Sequence, residues 1–357
     1  MSLSLLIIAR AVQIGAAVLL AGIFSFELFV LRRNDYSNSG HLRVTRLLLR
    51  LGCWSALAAL LSGLLWFGFE VTSMSRLSVA EAFRGTSWRT VLSATRFGHL
   101  WGVRLLLLIF CLVLMAIRGR STDRAQHRFA FLLWLSASVF LISLARISHA
   151  AVAAEQPVGL IGDAIHLAAA GVWLGGLPCL AIYLLVMVDS ASPRVLRRFS
   201  TLSLGCVVVL TVSGLSNAWL LVGSVKALFT TRYGALLLGK LALFGLLVIL
   251  GARNRTLVRN FPAETALAAL HRLRRGIAGE IALGGAIIAI VGWLGVTAPP
   301  RAALLSVPAQ GKILPLCEKT RLTRIGLGIE IDRSPNRDRA RPPLPAPLSW
   351  RETGADP

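Results

Sequence analysis

Apolar runs of about 18 residues or more recur along the chain, and they constrain its fold more than any other feature. Each run can cross a hydrocarbon layer about 30 Å thick as a helix, and lipid offers the backbone no other hydrogen-bond partner. The sequence therefore predicts an all-α, polytopic transmembrane bundle of about eight helices. The predicted helices cover residues 4–31, 51–70, 99–117, 129–148, 160–187, 202–222, 235–251 and 277–297.

Composition agrees with a membrane protein and removes the main alternative for so basic a chain. The mean hydropathy is +0.71 and 55% of the residues are hydrophobic, above the usage of soluble domains. The net charge of +22 would suggest nucleic acid in a soluble protein. Here most Lys and Arg lie in short loops between apolar runs, so we expect lipid rather than nucleic acid as the surroundings. We expect the first run to be a retained helix, because it has neither a basic leader nor a cleavage site.

The basic residues also predict an orientation. The loops after the odd-numbered helices carry 18 Lys and Arg, and those after the even-numbered helices carry 7. The second count includes Arg146, which lies close to the end of the fourth predicted helix. Positive charge favours the cytoplasm, so both termini are predicted to be periplasmic. Residues 1–300 form the predicted membrane domain, with a short interfacial helix in the connection 71–98 and no visible internal repeat. Residues 301–357, rich in Arg and Pro, form a predicted disordered tail.

Three histidines are predicted to meet at the periplasmic end of the bundle. His99 opens the third helix, His149 closes the fourth, and His166 lies in the first turns of the fifth. Asp163 precedes His166 by three residues and shares its helix face, where a carboxylate can bind a metal or orient the imidazole. Imidazole suits copper, zinc, iron and nickel, so these residues predict a metal site without choosing the metal.

Other polar and small residues in the apolar runs are candidates for a transport path or for structural roles. Ionisable groups at membrane depth are costly and are often functional. The ionisable candidates are Glu27 and Glu280, near the inner ends of their helices, and Lys240. The other candidates are Trp173 and the pair Gly175 and Gly176. The remaining histidines, His41, His127 and His271, lie in basic segments and are expected to be solvated. The five cysteines form no disulfide framework and no CxxC pair.

Several stretches resemble the copper-resistance D (CopD) family of bacterial inner-membrane proteins. The resemblance is carried by SHA at 148–150, DAIHLAAAGVWLGGL at 163–177, RRFSTLSLGCVVVLTVSGLSNAWLLVGS at 197–224, LFTTRYGALLLGKLALFGLLVILGARNR at 228–255, and LGVTAPP at 294–300. RFGHLWGVRLLLL at 96–108 fits more loosely, so the resemblance covers about residues 95–300.

The resemblance implies an eight-helix inner-membrane protein that takes copper as its substrate, with transport from periplasm to cytoplasm the usual proposal. By position, the family motifs include His149, Asp163, His166, Trp173, Gly175, Gly176, Tyr233, Gly234, Lys240, Asn254 and Glu280. No CopC-like domain is fused to the chain, so we expect any periplasmic CopC-like copper donor to be a separate protein. The tail from 301 onward has no counterpart in the family pattern.

Two other functions remain open from the sequence. A haem b redox protein would also need intramembrane histidines on separate helices, as axial ligands. A copper sensor or assembly partner that transports nothing would need only the metal site. The chain has no GxxxxGK[ST] motif to power an ATPase, and we expect a transport or homeostasis role rather than an enzyme.

Overall fold

The computed structural model describes residues 3–31, 39–119, 123–147, 157–188, 191–260 and 267–300, and the described regular structure is helical. The helices are α1 (Leu3–Ser25), α2 (Ser39–Ser75), α3 (Val79–Arg84), α4 (Ser87–Ala94), α5 (Arg96–Arg118), α6 (Asp123–Ile142), α7 (Pro157–Leu174), α8 (Gly176–Val186), α9 (Pro193–Val222), α10 (Val225–Thr230), α11 (Arg232–Arg259) and α12 (Leu267–Leu294). A π-helical turn, Phe26–Val30, continues α1, and a 3-10 turn, Ser143–Ile147, continues α6.

Eight of these helical segments are long and apolar enough to cross a membrane, which confirms the predicted number. They are α1 with its π turn, α2, α5, α6 with its 3-10 turn, α7 with α8, α9, α11 and α12. Four helices extend at one end by eight residues or more beyond the predicted bounds: α2 and α12 begin earlier, α9 begins at Pro193, and α11 continues to Arg259. The extra turns are rich in Arg, because hydropathy marks the apolar part of a helix whereas the backbone hydrogen bonds continue beyond it.

The connection predicted to hold one short helix contains two, α3 and α4. Ser78 and Glu81 form a capping box at the start of α3, in which each side chain meets the other residue's backbone N–H. Glu81 is fully exposed, and its bonds to Ser78 lower the pKa of its carboxyl group.

Helix α1 lies at the centre of the bundle and packs against α2, α6, α7, α8 and α12. Its contact face is built from small residues such as Ala17 and Ala21, which let neighbouring backbones approach closely. The closest approach joins Gly22 to Gly175, the residue between α7 and α8. A Cβ atom on either glycine would overlap backbone atoms across this contact. The short residues on α1 therefore set the distance between the two halves of the chain.

Arginines hold helix ends together at one end of the bundle. Arg198 at the start of α9 donates to Val30 O at 3.2 Å, and Arg274 near the start of α12 donates to Leu184 O at 2.5 Å. These bonds satisfy carbonyl groups that a helix end leaves free. We call this end, where α1, α5, α8 and α11 finish and α9 and α12 begin, the basic end. The residues at the start of α1 and the end of α12 share the opposite end, where Ala11 contacts Gly292.

Candidate metal site

Two polar side chains of helix α9 contact the two predicted metal-site residues of α7, Asp163 and His166. Asn217 Nδ2 donates to Asp163 Oδ1 at 3.3 Å, and Ser213 Oγ lies 2.9 Å from Nδ1 of His166. Ser213 donates its own hydroxyl hydrogen to Val209 O at 2.6 Å, so its oxygen accepts from Nδ1–H of the imidazole. Nε2 of His166 then carries the lone pair. A histidine held in this way presents a nitrogen that can bind a metal ion.

Helix α11 brings two further polar groups toward the same pair. Lys240 interacts electrostatically with Asp163 and with His166, and the buried Tyr233 interacts with Asp163. These residues lie at the opposite end from the arginine contacts described above. A carboxylate, an imidazole, an amide, a hydroxyl and an ammonium group therefore form one polar cluster among α7, α9 and α11. We call it the α7 pocket.

The described residues bring together two of the four predicted ligands, Asp163 and His166, on α7. His149 lies outside the described residues. His99 is in the first turn of α5, is exposed, and belongs to a helix that packs against α2, α4 and α6. Within the described ranges, no group of three or more His, Cys, Asp and Glu side chains could hold a metal ion. The combination of His149 with Asp163 and His166 therefore stays a prediction.

Glu27 is held by an arginine. Arg118, at the end of α5, donates to both carboxylate oxygens of Glu27, with Nη1 to Oε2 at 2.7 Å, and both side chains are buried. A bidentate pair of this kind fixes the geometry of both groups. The contact ties the π-helical turn after α1 to the end of α5.

Glu280 lines a cavity near the basic end. The cavity has a volume of about 130 Å³ and is bounded by α7 to α9, α11 and α12. Asn254 Nδ2 donates to Glu280 Oε1 at 2.6 Å, and Glu280 is only 4% exposed. Trp173 also lines this cavity. It follows His166 by two helical turns, or about 10 Å, on the same face of α7.

Gly175 and Gly176 serve packing. Gly175 contacts α1 through Gly22, as described above, and a Cβ on Gly176 would lie 2.7 Å from a ring carbon of Phe199. The Thr-Thr-Arg-Tyr-Gly motif is also structural in part. Thr231 caps α11 by accepting from Gly234 N at 3.0 Å, and Gly234 fits closely against the backbone of α10.

Sequence reasoning missed Ser213 and Asn217, which position the two α7 residues, and Arg118, which pairs with Glu27. The signal for the first two was their spacing of four residues, which places them on one face of α9. The prediction for His41 was wrong, because its side chain is buried against the ring of Tyr183 at a centroid distance of 6.0 Å. His271 is exposed as predicted.

Two family models match the chain. The model for the N-terminal domain of copper resistance protein D-like proteins matches residues 1–159, and the model for copper resistance protein D matches residues 193–294. Inner membrane protein YebZ of Escherichia coli is 30% identical over 203 residues, which cover 53% of this chain and 67% of that protein. The chain belongs to the copper resistance protein D family. With eight helices in its described residues that are apolar and long enough to span a membrane, it is a multi-pass inner-membrane protein with a copper-related function.

Two other relatives have copper in their names. Copper resistance protein D of Pseudomonas syringae is 29% identical over 267 residues, covering 67% of this chain and 83% of the relative. Copper transport protein CutJ of Bacillus subtilis is 33% identical over 189 residues, and the match spans 50% of this chain but only 34% of that protein. No solved structure matches the chain significantly.

Proposed function

We propose that this protein moves copper ions across the inner membrane from the periplasm to the cytoplasm. Copper is the substrate, and the α7 pocket is the site at which it is taken up. The names of the relatives, a copper transport protein and a copper resistance protein, support the choice of metal. The positive-inside rule assigns the basic end to the cytoplasm and the α7 pocket to the periplasm, so periplasmic copper can reach the proposed uptake site.

The observation that carries the proposal is the hydrogen bond from His166 to Ser213. With Nδ1 bonded to Ser213, Nε2 is the ring nitrogen that can accept a metal ion. Asp163 is held one turn away by Asn217 and adds an oxygen ligand or a compensating charge. His149 follows the 3-10 turn that packs against α7, so we propose it as the third ligand. His99 lies at the same end, and we assign it a weaker, peripheral part in attracting the ion.

Lys240 gives the pocket a means of releasing the ion. A site with a carboxylate and two imidazoles in a low-dielectric setting would hold a copper ion tightly, whereas a neighbouring ammonium group opposes its charge. Transport requires binding that is weak enough to be reversed. We therefore propose that Lys240 tunes the affinity of the pocket rather than binding copper itself.

Beyond the pocket, the cavity around Glu280 is the next polar region toward the basic end. Trp173 lines that cavity and follows His166 by two helical turns on α7, so we propose it as the barrier that an ion passes. Glu280, with Asn254, then supplies the inner half of the path. Glu27 is assigned no place in the path, because Arg118 already holds both of its oxygens.

Copper uptake into proteoliposomes, measured by mass spectrometry of the vesicle contents, tests the uptake site. We expect His166→Ala and His149→Ala to abolish uptake. Asp163→Asn should reduce metal affinity by about 10–100-fold, because a residue that orients or supports a ligand has an effect of that size. His271→Ala, which changes an exposed histidine at the basic end, is the matched control and should behave as wild type.

The contrary outcomes are equally specific. Normal copper uptake by folded His149→Ala and His166→Ala variants would mean that the two histidines only pack. A Soret band in the purified protein would favour a haem protein instead. The same uptake assay separates a transporter from a sensor or assembly partner, in which copper binds without crossing. A separate CopC-like donor, if it delivers copper here, should raise uptake by wild type but not by His166→Ala.

A further inference from the structure

The first half of the chain contains a polar contact that matches the His166–Ser213 contact of the second half. In α1, Gln13 Oε1 lies 2.7 Å from Ser62 Oγ of α2, within hydrogen-bond distance. Ser62 Oγ also lies 2.6 Å from the carbonyl oxygen four residues earlier, just as Ser213 Oγ lies 2.6 Å from Val209 O. A glycine follows each serine. A Cβ on Gly63 would lie 3.4 Å from Gln13, and one on Gly214 would lie 3.4 Å from His166.

The match extends to the neighbouring residues. Arg10 precedes Gln13 by three residues, as Asp163 precedes His166. Trp66 follows Ser62 by four residues, as Asn217 follows Ser213. These added residues also contact each other in each half. The guanidinium of Arg10 lies 4.5 Å from the Trp66 ring centroid, and Asn217 donates to Asp163.

Helices α5 and α11 begin in the same way. Each follows a short helix, α4 or α10, and each is capped by a threonine that accepts from the glycine three residues later. The bonds are Gly98 N to Thr95 Oγ1 at 2.9 Å and Gly234 N to Thr231 Oγ1 at 3.0 Å. Nine residues after the threonine stands a cation, Arg104 in α5 and Lys240 in α11. In both helices an arginine and then an aromatic residue stand between the capping threonine and its glycine.

Helix packing shows the same correspondence. The packing of α1 with α2, α2 with α5 and α5 with α6 is repeated by α7 with α9, α9 with α11 and α11 with α12. Across the two halves, α1 packs on α12 and α7 packs on α6. Gly22 and Gly175 hold equivalent places in α1 and after α7, and they touch each other. When equivalent residues of two units contact each other, the units are related by a two-fold axis that passes near the contact. Because α1 and α7 run in the same direction, this axis lies along the length of the bundle.

We propose that the chain consists of two equivalent four-span units, and that the first unit contains a counterpart of the α7 pocket in which the guanidinium of Arg10 takes the place of the metal ion. The metal-specific residues are then those that differ between the units, Asp163, His166 and Asn217. Ser213, Gly214, Thr231 and Gly234 recur in the first unit and belong to the shared scaffold. The metal part of this inference rests on the proposed function.

The chemistry of the first pocket excludes a metal ion. Arg10 is a permanent cation, it stacks on Trp66, and it interacts electrostatically with Glu70, which also accepts from Trp66 Nε1 at 3.1 Å. Gln13 offers an amide where the second unit offers an imidazole. Arg104 adds a second guanidinium, which is 3% exposed and donates to Ser143 Oγ at 2.6 Å. An incoming cation would meet two positive charges, so the protein should bind copper in one unit only.

Exchange of the residues between the units tests the equivalence without any metal. The variant Asp163→Arg, His166→Gln, Asn217→Trp places the first unit's residues in the second. If the pockets are equivalent, the new Arg stacks on the new Trp, and the purified protein melts within about 5 °C of wild type. The control carries the same residues in exchanged places, Asp163→Trp, His166→Gln, Asn217→Arg, and should melt at least about 10 °C lower. Equal loss in both variants would overturn the equivalence.

The reverse exchange tests the metal assignment. Copper(II) alone is the probe, and bound copper is counted by electron paramagnetic resonance. Wild type should bind one ion through the α7 pocket and His166→Ala none. Arg10→Asp, Gln13→His, Trp66→Asn in the His166→Ala background should restore one ion. A monodisperse variant that binds no copper, while wild type binds one, would overturn the claim that Arg10 replaces the metal. If wild type itself binds none, the proposed function fails, whereas the melting comparison still decides the equivalence.

Discussion

Removal of the carboxylate of Glu27 distinguishes a structural role from a place on the transport path. In Glu27→Gln, the guanidinium of Arg118 loses the partner that binds it through two nitrogens, and it stays 4% exposed. Breaking a buried ion pair by changing one partner costs about 3–5 kcal/mol. Since about 1 kcal/mol shifts the melting temperature by about 2–4 °C in a domain of this size class, we expect a fall of roughly 10 °C.

The double variant Glu27→Leu, Arg118→Leu supplies the decisive comparison. Replacing both members of a buried pair with apolar residues is often neutral, so the double variant should melt well above Glu27→Gln. The assay is thermal unfolding of the purified protein in detergent, followed by copper uptake for each variant that folds. The structural reasoning is refuted if Glu27→Gln melts as wild type does. Normal stability together with lost uptake would instead put Glu27 on the transport path.

Three further predictions concern orientation, the tail and helix packing. Reporters fused within 150–158 or after residue 300 should give periplasmic signals, and a cytoplasmic signal from either would reverse the orientation. Truncation at residue 301 should leave insertion and copper uptake intact, and loss of folded protein would show a structural tail. Gly175→Ala should lower thermal stability by about 1–3 kcal/mol, because its Cβ meets the backbone of α1. Gly205→Ala, with open space around its Cβ, should not.

The number of membrane helices followed from the sequence because hydropathy is a local property. Each apolar run must satisfy its own backbone within the bilayer, so a run of sufficient length predicts a helix independently of its neighbours. The ends of the helices did not follow. Arg197 and Arg198 fall in a segment that hydropathy assigns to a loop, yet both are helical, and Arg198 reaches the backbone of α1. Bonds of this kind depend on residues far away in the sequence.

The site was predictable only in part for the same reason. Asp163 and His166 could be paired because they lie one turn apart on one helix. Their partners Ser213 and Asn217 belong to a helix that begins some thirty residues later, and nothing local assigns them to the α7 pocket. The likeness between the two halves is also invisible in a direct reading. Its matched positions are few and far apart, and Arg10 has the opposite charge to its counterpart Asp163.

This charge difference accounts for the contrast between the two halves. A polar pocket inside a membrane bundle must have its charges compensated, and each half does so differently. The first half carries its own cation in Arg10, stacked on Trp66 and close to Glu70, so its pocket is filled by the chain itself. The second half carries a carboxylate and an imidazole beside Lys240, and we propose that a metal ion takes the place that Arg10 fills in the first half. Because the surrounding scaffold of serines, glycines and threonine caps is shared, a few side chains decide which pocket is permanent structure and which can exchange an ion.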